Sequence, residues 1–159
     1  MGRHRDFLAL TKPRVVLMVL VTTSVGFYLG AAGPPAWPRL ALTLLGTALA
    51  AGGTVALNQF LEREVDALME RTRRRPLPEG RLQPATALWF GTAITVTGLS
   101  VLLAVGSLPA LVTAATVGLY LFAYTPLKRK SPLCLIVGAA SGALPPVTGW
   151  VAARGEFGA

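Results

Sequence analysis

A chain of 159 residues that is 53% hydrophobic and only 14% charged carries more apolar surface than one soluble core of its size can hide, so much of that surface faces lipid. The formal charge of +8 sits between apolar runs rather than along a soluble face, which argues against a nucleic-acid partner. The lone cysteine, Cys134, excludes an internal disulfide framework and a cysteine-based metal site.

A helix needs roughly 20 mostly apolar residues to cross the hydrocarbon core of a bilayer. A polar N-terminal tail with His4 and Asp6 comes first, and five candidate spans follow at about residues 15–32, 40–61, 85–105, 108–124 and 133–153. The first span lacks the brief apolar core and small-residue cleavage site of a signal peptide and reads as retained. The expected fold is therefore all-α, a multi-span transmembrane helical bundle. Gly52, Gly53, Gly138, Gly142, Pro145 and Pro146 are its candidate contact or kink positions. Trp37, Trp89, Trp150, Tyr28 and Tyr124 fall near span ends, as interfacial anchors do. Cys134 reads as a small buried apolar residue, and His4 as a tail residue rather than a ligand.

Loop charge orients the bundle. Thirteen of the fifteen basic residues precede the first span or lie between spans two and three or four and five. By the positive-inside rule that side, N-terminus included, is cytoplasmic. The exceptions, Arg39 and Arg154, fall where the alternation of five crossings puts the opposite side.

The segment that carries chemistry runs from Asn58 to Leu77. On a helix, steps of four residues advance about 400°, so Asn58, Glu62 and Asp66 stack along one face at the basic mouth of the second span, with Glu70 drifting beyond them. Carboxylates near a membrane core are costly, roughly 2.5 to 3.5 kcal/mol for Asp at a helix centre, and mark function when they point into a bundle. Two carboxylates and an amide oxygen are hard donors suited to Mg²⁺, which is held by one or two carboxylates plus substrate phosphates. The arginines that follow suit the remaining phosphate oxygens. The same residues also fit a plainer reading, a solvated helix end with i, i+4 ion pairs and a run of topology-setting arginines at 73–75. Charge pattern alone leaves both open.

The segment resembles the first acidic motif of the UbiA superfamily of intramembrane prenyltransferases. Its continuation, with Asp66, Met69, Arg71, Thr72, Arg75, Pro76 and Leu77 at the matching spacing, is similar to the branch that farnesylates protohaem IX. Leu10-Thr11-Lys12-Pro13-Arg14, Tyr124-Thr125-Pro126-Leu127-Lys128-Arg129, and the stretch from Gly138 to Pro146 with Gly149 and Trp150 resemble that branch too, in the same order. Glu62 and Glu64 stand where the family more often has Asp, which keeps the hard oxygen and adds a methylene.

The resemblance implies an enzyme that uses Mg²⁺ to ionise farnesyl diphosphate and passes the farnesyl group to a vinyl group of haem b, making haem O, in the inner (plasma) membrane. It implies catalytic and metal-binding roles for Asn58, Glu62 and Asp66, and diphosphate contacts for Arg71, Arg75, Lys128 and Arg129. Lys12 and Arg14 are weaker candidates for that contact. The family has about nine helices and a second acidic motif, so residues 1–159 are expected to be one membrane domain that holds half of the site and is inactive alone. Another aromatic acceptor, such as a quinone precursor, or a non-enzymatic membrane fragment, are the alternatives.

Overall fold

The computed structural model describes residues 3–128 and 130–156. Its order is α1 (Arg3–Thr11), α2 (Pro13–Gly30), α3 (Trp37–Leu68), α4 (Pro84–Val105), α5 (Ser107–Gly118), a π-helical turn (Leu119–Tyr124), the single turn α6 (Thr125–Leu127) and α7 (Cys134–Arg154). The rod from α5 to α6 is one apolar stretch, Ser107–Leu127, so five segments are long and apolar enough to cross a membrane, as the sequence predicts. Pro13, Pro38 and Pro84 lie in first helical turns, where the missing N–H costs no hydrogen bond. Gly155 ends α7 in the left-handed conformation.

Small residues let the helices approach where lipid removes the hydrophobic drive between them. A Cβ on Gly98 of α4 would overlap Ala50 N of α3, and one on Gly53 would overlap Thr95. On the other side, a Cβ on Gly149 of α7 would overlap Thr23 O of α2, and one on Gly26 would overlap Pro146 O. These contacts make α3·α4 and α2·α7 the most extensive helix pairs. Of the predicted contact glycines, Gly53 and Gly138 are tight, Gly52 is in ordinary contact, and Gly142 faces open space. Threonine hydroxyls along the spans, such as those of Thr23, Thr54 and Thr116, donate to carbonyls four residues back and are satisfied within their own helices. Arg39 caps the far ends of two helices, donating through Nε to Ala152 O at 2.5 Å and through Nη2 to Val105 O at 3.2 Å.

Three expectations are corrected. The N-terminal stretch is not a polar tail. It is the helix α1, with Leu10 packed among Ala56, Leu77, Leu82 and Ala87, Phe7 tilted against Phe90 at 4.8 Å, and Asp6 buried in an ion pair with Arg81, while His4, Arg5, Leu8 and Ala9 stay exposed. The helix α3 runs on to Leu68, past the predicted end near residue 61, and Glu70 falls in the turns beyond it. Cys134 is half-buried rather than buried, because it sits at the first turn of α7. Tyr28 and Trp37 meet edge to face at 6.4 Å where α2 ends and α3 begins, whereas Tyr124 stacks on Tyr120 at 5.1 Å at the basic end.

Candidate active site

The extension of α3 carries the acidic face into the bundle. Asn58, Glu62 and Asp66 are 3%, 6% and 4% exposed, which decides against a solvated helix end. Each meets a partner from a different part of the chain. Asn58 Nδ2 donates to Thr125 Oγ1 at 2.9 Å, Glu62 Oε1 pairs with Lys128 Nζ at 3.1 Å, and Asp66 Oδ2 pairs with Arg75 Nη1 at 2.5 Å. Thr72 Oγ1 also donates to Asp66 O at 2.9 Å and draws the loop after α3 back over the helix end.

A third cation comes from the N-terminal side. A residue before proline is pushed out of the helical region, so α1 stops at Thr11. Lys12 takes the left-handed conformation, φ 44° and ψ 70°, before α2 begins. Left-handed geometry costs a residue with a Cβ roughly 1–2 kcal/mol. It is held by Gln59, whose Nε2 donates to Leu10 O at 2.7 Å, and by the Asp6 and Arg81 pair at the other end of α1. The half-buried Lys12 feels Arg75, Asp66, Glu62 and Lys128. Burial first, then the Arg75 charge, pulls its ammonium below the ordinary lysine value, while the two carboxylates pull the other way.

On the fourth wall, Pro126 has no N–H to give, and its ring would press on the carbonyl four residues back. The rod widens there into the π-helical turn, in which the Thr125 N–H reaches Tyr120 O, five residues back. The turn sets Thr125 against Asn58.

Next to this polar cluster lies an apolar cavity of about 320 Å³ among α2, α3, α5 and α7. Val15, Val19, Thr54, Val55, Tyr120 and Pro145 line it. Thr54 is one turn from Asn58 on α3, so the cavity ends where the acidic face begins. The arrangement can hold a charged head among cations and carboxylates and an apolar tail in the bundle. Among the described residues no three His, Cys, Asp or Glu side chains group together. The two carboxylates and one amide fall short of an all-protein metal cage but match what Mg²⁺ takes when waters and phosphates complete its shell.

Of the predicted residues, Asn58, Glu62, Asp66, Arg75 and Lys128 are brought together and Lys12 joins them. Arg71 and Arg14 are exposed, and neither forms an ion pair among the described residues. Arg129 lies outside the described residues. Thr125 and Gln59 were not singled out; a proline one residue on, inside an apolar span, is the signal that could have pointed to Thr125.

Five apolar rods, four of them around a cavity that ends at a buried charged cluster, define a multi-pass membrane protein with a polar site at one end of the bundle. Residues 19–159 match the UbiA prenyltransferase family, and the chain belongs to it. Among curated relatives, the protoheme IX farnesyltransferase of Aquifex aeolicus is 46% identical over 154 residues, covering 96% of this chain and 53% of its own length. That of Symbiobacterium thermophilum is 43% identical over 154 residues, with 96% and 52% covered. The chain thus spans about half the length of the curated relatives it matches. A solved digeranylgeranylglyceryl phosphate synthase shares the fold with a TM-score of 0.85 at 17% identity, over 96% of this chain and 54% of that one. A UbiA homologue from Archaeoglobus fulgidus, solved with GPP and Mg²⁺, does so with a TM-score of 0.76 at 21% identity, over 97% and 54%.

Proposed function

We propose that residues 1–159 form one membrane domain supplying half of a site where a farnesyl group passes from farnesyl diphosphate to a vinyl group of haem b, giving haem O. The observation that carries this reading is the buried face of Asn58, Glu62 and Asp66, met by Lys12, Arg75 and Lys128 at the end of an apolar cavity. The names of the relatives at 43–46% identity supply the acceptor.

Asn58, Glu62 and Asp66 are the residues of this half that would hold Mg²⁺, which as a Lewis acid stabilises the charge of a departing diphosphate. Arg75 and Lys128 orient the diphosphate from two sides and Lys12 from a third; Arg71 and Arg129 are further cations within the same two basic loops. The cavity walls, largely apolar and with the hydroxyls of Thr22, Thr54, Thr116 and Thr148 donated to carbonyls of their own helices, exclude water from the isoprenoid tail. As the allylic C–O bond breaks and the diphosphate leaves with its electron pair, the vinyl group forms the new C–C bond, and water adds to the resulting cation and gives up a proton to leave a hydroxyl. The basic side is the cytoplasmic side of the plasma (inner) membrane.

A chimaera in which residues 1–159 replace the matching half of the Symbiobacterium thermophilum relative tests the reading. With haem b, farnesyl diphosphate and Mg²⁺ it should form haem O, whereas residues 1–159 alone should not. A folded, inserted chimaera that left haem b untouched and prenylated a quinone precursor would refute the acceptor.

A further inference from the structure

Thr125 is 3% exposed, and its hydroxyl is committed in two directions. Its proton goes to Tyr120 O at 2.8 Å, the carbonyl that the π-helical turn also brings to the Thr125 N–H. With that proton spent, Thr125 Oγ1 can only accept from Asn58. Only the NH₂ side of the amide can donate, so the two ends of Asn58 are not interchangeable: Nδ2 faces Thr125 at 2.9 Å and Oδ1 points away. Among the described residues Oδ1 receives no hydrogen bond.

We infer that Thr125 is the positioning residue of the cluster, locking the Asn58 amide so that its oxygen, never its NH₂, is presented to a divalent cation carrying a diphosphate. The inference rests on the proposed metal and diphosphate site. A flipped amide would aim two N–H donors at the cation and remove a ligand. The lock has three parts: Pro126 forces the wide turn, the turn aims Tyr120 O at Thr125, and Thr125 dictates the sense of Asn58.

Asn58 is the sole asparagine of the chain, so ¹⁵N-asparagine labelling gives one side-chain NH₂ signal. With the full chain in nanodiscs, one of its two protons should be shifted downfield and protected from exchange. Thr125→Val should erase that difference, and Thr125→Ser should keep it. Adding Mg²⁺ with inorganic diphosphate should then perturb the signal in the unmodified chain and in Thr125→Ser, with affinity about tenfold weaker in Thr125→Val, as for loss of a partner behind a metal ligand. An Asn58 signal unchanged in Thr125→Val, or lost in Thr125→Ser, overturns the lock. If Thr125→Val does not insert, the serine variant and the exchange asymmetry of the unmodified chain still decide. A signal that depends on Thr125 but ignores Mg²⁺ and diphosphate overturns the metal-directed role, and the site reading with it.

Discussion

Replacing Asp66 with Asn probes the tie between α3 and the loop that follows it. The Asp66 carboxylate is 6% exposed and its Arg75 partner 20%, at 2.5 Å. Removing one member of a buried pair costs about 3–5 kcal/mol when the other charge is stranded. Here the loss is smaller, because Arg75 keeps some water and the Asn oxygen still accepts from it. A hydrogen bond to a charged group is worth about 1.5–3 kcal/mol, which puts the loss near 2 kcal/mol. At 1.4 kcal/mol per factor of ten, the loop should open roughly 30-fold more often. Hydrogen exchange of the chain in nanodiscs reads this at the amides of Thr72, Arg75 and Glu79, which bond Met69 O, Thr72 O and Arg75 O. Glu64→Gln is the control: Glu64 is 81% exposed in its pair with Arg63, and exposed pairs contribute little. Equal exchange in Asp66→Asn and Glu64→Gln would refute the claim that the buried pair holds the loop.

Asp6→Asn should release α1, because the buried carboxylate is the anchor of Arg81; faster exchange at Leu10 and weaker diphosphate binding through a misplaced Lys12 are the expected readouts. Gly98→Val should prevent α3 and α4 from closing, since its Cβ meets backbone that cannot yield, and a large drop in melting temperature in nanodiscs checks it. Lys12, held below the ordinary value of 10.5, loses its charge early as pH rises, so diphosphate affinity should begin to fall below pH 10.5 and Lys12→Arg should remove that step. In the same window the unfolded chain binds more protons than the folded one, so fold stability should rise as affinity falls.

The spans and the acidic face were legible because both are written in local periodicity: apolar length marks a crossing, and steps of four residues mark a face. What was not legible depends on partners distant in sequence. Asp6 looks like a tail residue until Arg81, 75 residues on, is placed beside it. Arg71 and Arg75 look equivalent in a run of arginines, and only the turns after Leu68 send Arg75 to Asp66 and leave Arg71 outside. Lys12 could be read as a topology signal because nothing local says that Pro13 would stop α1 and leave Lys12 beside α3. The continuation of α3 to Leu68 has the same origin, since Glu62 and Asp66 can enter the bundle only with Lys128 and Arg75 there to meet them.

That mutual dependence bears on how the site works. Two carboxylates against three cations leave the cluster with a net charge of +1. Each carboxylate commits one oxygen to its cation, Glu62 Oε1 to Lys128 and Asp66 Oδ2 to Arg75, and among the described residues the second oxygen of each accepts no hydrogen bond. On the proposed reading, a diphosphate entering with a divalent cation meets both requirements together. Glu62, Asp66 and Asn58 would supply oxygens to the cation, Arg75 and Lys128 would turn from the carboxylates to the phosphate oxygens, and Lys12 would add a third positive charge beside them. Neither half of the ligand satisfies the cluster alone, because diphosphate without the cation leaves anion facing carboxylate, and the cation without diphosphate leaves three positive groups facing a fourth. Binding of each should therefore be strongly enhanced by the other. The two ion pairs hold Glu62, Asp66, Arg75 and Lys128 in place until both arrive, and the Gln59 bond to Leu10 O holds the backbone that carries Lys12.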